Sequence, residues 1–439
     1  MKARDGTAVR GPEHSPRKGL SHPAGEIHAG IGEFARELIE DARRGLGPGE
    51  PVDHHVHLGG AGTGVRRICP EVASPGVWIH PDFRSWRHPI RRLEARILLG
   101  FCGVGDWGDA DAQYAERLLE LVRTSGLGGT YFLYALDWRY ERPPNNRAPD
   151  RERTDIYVDN DYAIAVADWL NAQESGGARF VPVASVHPYR PGAIEALFAL
   201  AARGVRYLKW LPPAQSIDPA DGLLKPFYQA LHRLGFVLLS HTGKEHTLRV
   251  RDQDLADPLR LSLALEEGVA VVMLHAGRDG VERAPGPDGH RRAYADRFFE
   301  MMRRYPANLF GEISALPYLG THPLLDALVA DPGICRRLVN GSDYPAPAIP
   351  FIDPTGRLFS AGYLGDEGEG EAGLARKRKQ ALREIRRSNP LLFDFVLKRT
   401  LRIGGRRLPV SIFQSISSKL EPAAATTANP AVATRCLPY

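Results

Sequence analysis

The chain has 439 residues, 43% of them hydrophobic and 25% charged, and a formal net charge of +5 at pH 7. That balance suits an ordinary soluble globular protein, and so small a charge excess gives no reason to expect a nucleic-acid partner. No apolar run approaches the ~20 residues that cross a bilayer, so no transmembrane segment is expected.

Residues 1–29 are polar and rich in Gly, Pro and charge. They are expected to be a disordered segment, and they lack the apolar core of a signal peptide. From residue 31 the apolar residues Ile31, Phe34, Ala35, Leu38, Ile39 and Ala42 recur at helical spacing, which predicts an amphipathic helix over 31–45. Gly45 and the run Gly47-Pro48-Gly49 end it. Eight short apolar segments with strand character follow, at 51–57, 129–137, 179–187, 205–210, 236–241, 269–275, 308–313 and 337–343. Helical patterns fall between most of them, at 193–203, 224–234, 259–267 and 294–304 among others. Alternating strands and helices imply a parallel sheet with crossover helices. Eight such units predict an α/β fold of the closed (β/α)8 TIM-barrel type, over residues 30–353.

One connection is too long for a plain loop, the insertion 58–128. It opens on Gly59-Gly60-Ala61-Gly62-Thr63-Gly64, which looks like a phosphate loop at first sight. Val65 stands where the dinucleotide fingerprint needs glycine, and no Walker lysine is present, so a flexible turn is the reading. Further on, Trp78, Phe83, Arg84, Trp86, Arg87, Arg91 and Arg92 make this segment a candidate lid over the barrel mouth. A solvated helical excursion with its aromatics packed on the barrel is the alternative. Beyond the eighth strand, residues 354–418 form a C-terminal extension. Its 376–407 stretch is basic and partly helical, and such a charge run is expected to be a solvated face. Residues 419–439 read as a disordered tail. The cysteines Cys69, Cys102, Cys335 and Cys436 stand apart from one another, which fits a reducing, cytoplasmic setting without disulfides.

The strand ends carry the chemistry. The first segment ends in His55-Val56-His57, the fourth carries Lys209, the fifth ends in His241, the sixth in His275, and the eighth in Asp343. Each polar residue follows an apolar run that should be barrel wall, so each lands on the C-terminal rim where barrel enzymes hold their active sites. His55 and His57 share a strand face by the two-residue repeat. Singly, a buried histidine would be a core residue and Asp343 a helix cap. Jointly, strands delivering imidazoles and a carboxylate to one rim point to a metal site.

At this point the residues resemble a known family. His55-x-His57, His241, His275 and Asp343 look like the amidohydrolase superfamily, and within it the amidohydrolase-2 group of metal-dependent barrel hydrolases and decarboxylases. The stretches Lys209-Trp210-Leu211-Pro212-Pro213-Ala214-Gln215, Ser240-His241-Thr242-Gly243 and Gly341-Ser342-Asp343-Tyr344-Pro345 are similar to segments of that group, and the likeness runs from Val52 to Pro345. The resemblance implies that His55, His57, His241 and Asp343 bind a divalent metal, with Zn2+ the default. Asp343 would also serve as general base and acid, and His275 would polarise the substrate carbonyl. Lys209 would be either a substrate-binding cation beside one ion or, if carboxylated, a bridge between two. The implied activity is hydrolysis of a C–O or C–N bond in a small carbonyl compound by metal-activated water. Non-hydrolytic decarboxylation on the same site is the alternative.

Weaker candidates surround these residues. Arg278 is a candidate clamp for an acidic small-molecule substrate, and His187 is a candidate to line the pocket with the adjoining Pro188-Tyr189-Arg190. Glu312 ends the seventh strand, and His246 lies in a loop. His54 should point away from the His55/His57 face, whereas Asp53 should lie on it and help orient the ligands. Association into a homo-oligomer is common for such barrels.

Overall fold

The structure, a computed structural model, describes residues 31–282, 291–318, 322–365 and 371–420. The segment 1–29 and all but the first two residues of the 419–439 tail lie outside the described residues. The strands are β1 (Val52–His57), β2 (Val77–Ile79), β3 (Thr130–Tyr134), β4 (Ile156–Val158), β5 (Arg179–Val183), β6 (Tyr207–Trp210), β7 (Val237–His241), β8 (Ala270–Leu274), β9 (Leu309–Glu312) and β10 (Leu338–Val339). β2 and β4 pair antiparallel with each other. The other strands run parallel, in the orders β1-β3-β5 and β6-β7-β8-β9-β10.

Two seams close these runs into a ring. Ala184 bridges Leu208, and the Lys209 N–H donates to the Ala184 carbonyl at 2.7 Å. Val56 bridges Tyr344, and the His57 N–H donates to the Tyr344 carbonyl at 2.9 Å. The predicted (β/α)8 arrangement is thus present, and its interior is filled by side chains two residues apart along each strand. Phe132 and Tyr134, Val237 and Leu239, and Val272 and Leu274 are examples, all buried.

Strand β1 is irregular. Its pairing with β3 slips between Asp53 and Val56. His54 lies 4.7 Å from the Phe132 ring and His55 4.8 Å from the Tyr134 ring, measured between centroids. Phe132 and Tyr134 share one face of β3, so the consecutive His54 and His55 both turn into the barrel. The expected alternation, with His54 facing away, does not hold, because a bulge of this kind re-aims a side chain. The His54 tautomer follows from its partners. Nε2 accepts from the Ile416 N–H at 3.1 Å, so Nδ1 carries the proton and donates to the Asn340 carbonyl at 2.9 Å.

The glycine-rich turn is also settled by its hydrogen bonds. Oδ1 of the buried Asp111 accepts from the N–H groups of Ala61, Gly62 and Thr63 at 2.7, 2.8 and 3.2 Å. The backbone donors that would cradle a phosphate are filled by the chain's own carboxylate. In the following segment the aromatics divide. Trp78 lies 4.7 Å from Trp138, which stacks on Tyr157, whereas Trp86, Ile90 and Leu93 are exposed.

The basic C-terminal stretch is not simply a solvated face. Arg378, Lys398 and Arg399 are buried, although Arg376, Lys377 and Arg387 are exposed. Helix Pro390–Thr400 starts on an Asn389 side-chain cap with proline at its first position. From it Arg399 donates to the carbonyls of Ala42, Arg44 and Leu408, stitching the end of helix Glu33–Arg43 to the extension. Sequence pattern marks charge, whereas burial depends on partners that only the folded chain supplies. Past this helix, Ile416 joins the barrel's interior cluster, and Leu420 packs against it.

Candidate metal centre

The rim residues converge as their positions at strand ends require. His55 Nε2 lies 3.1 Å from His57 Nε2 and 3.3 Å from Asp343 Oδ1, and His57 Nε2 lies 3.1 Å from the same oxygen. One donor atom each from His55, His275 and Asp343 lies within 4.8 Å of the others. The His241 ring is 4.8 Å from that of His275. The structure therefore places His275, expected to polarise the substrate carbonyl or, in a two-metal site, to bind the second ion with His241, among the metal-type donors. Two of these residues hold a backbone that side chains seldom adopt, with φ of +60° at His275 and +58° at Asp343. Such left-handed positions away from glycine concentrate at functional sites.

Glu312 and Ser314 orient two of the imidazoles. The Ser314 hydroxyl donates to Glu312 Oε2 at 2.7 Å and lies 2.8 Å from His275 Nδ1 and 3.4 Å from His55 Nδ1. With Glu312 ionised, that hydroxyl spends its proton on the carboxylate, so the histidine Nδ1 atoms donate to it and each Nε2 keeps a free lone pair. Ser314 was absent from the sequence-level candidates. The signal was its position two residues beyond Glu312, past a strand end. Asp53 holds the backbone, its Oδ1 accepting from the N–H groups of His55 at 3.1 Å and Ser342 at 2.8 Å.

Electrostatics keep the donors in ligand form. Burial, with Lys209 next, holds His55 well below the ordinary histidine range and pushes His241 down to about 3. Burial, reinforced by His241 and Lys209, does the same to His275. Lys209 is itself buried, with Nζ 4.9 Å from the centre of the Tyr134 ring. Burial pushes it down to about 8 against the pull of Asp343, Glu312 and Glu245. Burial raises Glu312 to about 7, opposed by the Ser314 hydrogen bond.

These residues fit a divalent transition metal. Neutral imidazoles with a carboxylate are its usual donor set. Two nitrogens each 2.0–2.1 Å from one tetrahedral ion stand roughly 3.3 Å apart, close to the observed His55–His57 separation. The strongest sign is His241 Nε2, a buried nitrogen with no hydrogen-bond partner among the described residues.

Other sequence candidates separate by environment. Arg278 stays near the centre, close enough for its charge to act on His241 and His275, and it pairs with Asp279 at 3.3 Å. His246 lies 3.7 Å from Asp279, half exposed. His187 is held by backbone. It is fully buried, its Nδ1 accepts from the Tyr189 N–H at 3.2 Å, and its Nε2–H donates to the Gln215 carbonyl at 2.9 Å, so neither ring nitrogen remains for a substrate.

His187 also has a measurable acid signature. Burial pushes it down to about 3, whereas the unfolded chain takes up this proton near the ordinary 6.5. The unfolded state binds the extra proton between these values. The contribution to stability is therefore intact above 6.5 and lost as pH falls toward 3, by about 1.4 kcal/mol per pH unit. His187→Gln should show a stability–pH slope shallower by that amount between about pH 6 and about pH 4 in urea melts. Equal slopes for the two proteins would refute this account.

No family model matches the chain. No curated protein matches it in sequence. Solved structures do match. An uncharacterised TIM-barrel protein from Bordetella bronchiseptica aligns at 16% identity and a TM-score of 0.43, over 77% of this chain and 98% of that one. The IDCase of Metarhizium anisopliae aligns at 12% identity and 0.36, over 80% and 99%. A 5-carboxyvanillate decarboxylase from Sphingomonas paucimobilis aligns at 13% identity and 0.34, over 69% and 92%. Values at this level record a likeness and decide nothing about chemistry.

Proposed function

We propose that this chain is a metal-dependent hydrolase of the amidohydrolase type, acting on a C–O or C–N bond of a small carbonyl compound. The observation that carries the proposal is the junction of His55, His57 and Asp343 within 3.3 Å, beside a buried His241 nitrogen that has no partner among the described residues. His55, His57, His241 and Asp343 would hold the ion, with His275 beside them. A bound divalent ion supplies Lewis acidity and makes water acidic enough to react near neutral pH.

The chain's own residues do the rest. Asp343 is partly open to solvent, as is His57, while the other donors are buried. It is placed to take a proton from the attacking water and return it to the leaving group. When Glu312 is ionised, His275 has its proton on the Ser314 side and presents a lone pair toward the centre. The carbonyl oxygen falls instead to the cations Lys209 and Arg278, which also suit an acidic substrate. The charges of Lys209 and Arg278, both close enough to act on His241 and His275, suit the second reading, decarboxylation of an unsaturated or aromatic acid.

Metal analysis on protein purified with bicarbonate tests the proposal. One equivalent of Zn2+ per chain is expected, and two would mark Lys209 as carboxylated. His55→Ala should lose metal and activity together, and a chain that binds no metal overturns the reading. A screen of lactones, esters, amides and carboxylic acids then separates the two reactions, since carbon dioxide release without hydrolysis selects the lyase.

A further inference from the structure

We infer that Glu245 is a metal ligand paired with His241, an assignment that rests on the metal dependence proposed above. After β7 the chain turns at Gly243, whose φ is +90° and where a Cβ would meet the Arg278 carbonyl oxygen at 2.2 Å. The turn brings Glu245 back beside His241. The residue is fixed on both sides, since its N–H donates to Gln253 Oε1 at 3.0 Å and its carbonyl accepts from Gln253 Nε2 at 2.8 Å.

The two carboxylate oxygens of Glu245 have different surroundings. Oε1 accepts from the N–H groups of Thr247 at 2.6 Å and Leu248 at 3.1 Å. Oε2 instead points at His241 Nε2 from 3.8 Å, and both side chains are only 8% exposed. That distance is too long for a hydrogen bond. The nitrogen has no hydrogen-bond partner among the described residues. A buried imidazole nitrogen left without a partner is costly. A cation held between it and Glu245 Oε2 would supply one. Bonds of 2.0–2.2 Å from one ion to a nitrogen and an oxygen set the two donors roughly 3–4 Å apart. Glu245 thereby gives the His241 side a carboxylate, as Asp343 does for the His55/His57 side.

Glu245→Gln tests this directly. The amide oxygen still accepts from Thr247 and Leu248, so the turn persists while the anionic donor is gone. Zn2+ affinity, measured by chelator competition on the full chain, should fall at least roughly 10–100-fold. The visible absorption of the Co2+-loaded protein should also shift, as it would not for a residue that only shapes the turn. Glu245→Asp retains the charge but withdraws both oxygens by one methylene, so it should weaken Zn2+ binding as well. Wild-type affinity and an unchanged Co2+ spectrum in Glu245→Gln overturn the Glu245 assignment alone. A wild-type chain that binds no Zn2+ overturns the proposed function as well.

Discussion

Asp343→Asn should lower turnover by about 10²–10⁴-fold, the usual range for removing a positioned acid/base group, while the fold and part of the metal remain. Asparagine suits the position because, like aspartate, it tolerates the left-handed backbone that Asp343 adopts at φ +58°. The local backbone bonds survive too. The residue's N–H donates to the His55 carbonyl at 2.9 Å, and its carbonyl accepts from the Ala346 N–H at 2.8 Å. The side-chain oxygen near His55 and His57 is retained, but an amide takes no proton near neutral pH. Turnover and metal content measured on the same preparation check the result. Full activity in this variant would remove Asp343 from its acid/base role, and metal loss in proportion to activity would make it a ligand alone.

Lys398→Met should destabilise the protein by about 3–5 kcal/mol, the usual cost of leaving one member of a buried ion pair without its partner. Lys398 is fully buried, and its Nζ donates to Asp394 Oδ2 at 2.7 Å, the Gly341 carbonyl at 2.5 Å and Asn340 Oδ1 at 3.1 Å. Methionine would fill the volume and strand the Asp394 carboxylate, whose other oxygen accepts from the Tyr318 hydroxyl at 3.0 Å. Replacing both charges, as Lys398→Met with Asp394→Leu, should restore most of the loss. Urea unfolding of the single and double variants decides the matter. Equal stability of Lys398→Met and wild type would mean that the pair is solvated. Because Gly341 lies two residues before Asp343, the single variant should also disturb the metal site.

The parts of this molecule legible in its sequence are those set by repeating geometry. Apolar runs alternating with helical patterns imply the parallel ring, and a polar residue after such a run implies a place on the rim. His241, His275 and Asp343 are found that way. Reasoning by alternation fails on β1, where a slipped register turns His54 and His55 to the same side. A period of two holds only while pairing is regular. Burial of charge was illegible for a different reason. Asp394 stands only four residues before Lys398, but nothing near Lys398 or Asp111 in the sequence announces the distant carbonyls and N–H groups that complete their partners. The same holds for His187, whose exclusion from substrate binding depends on two backbone partners brought together by the fold.

The seam between the first strand and the far end of the chain has a consequence for how the molecule comes into being. His57 needs the Tyr344 carbonyl, His54 needs the Ile416 N–H, and Lys398 reaches back to Gly341. During synthesis the first two metal-type histidines leave the ribosome long before any of these. The centre is therefore completed only when almost the whole described chain has emerged. A metal ion held there would close a finished barrel rather than template its early folding.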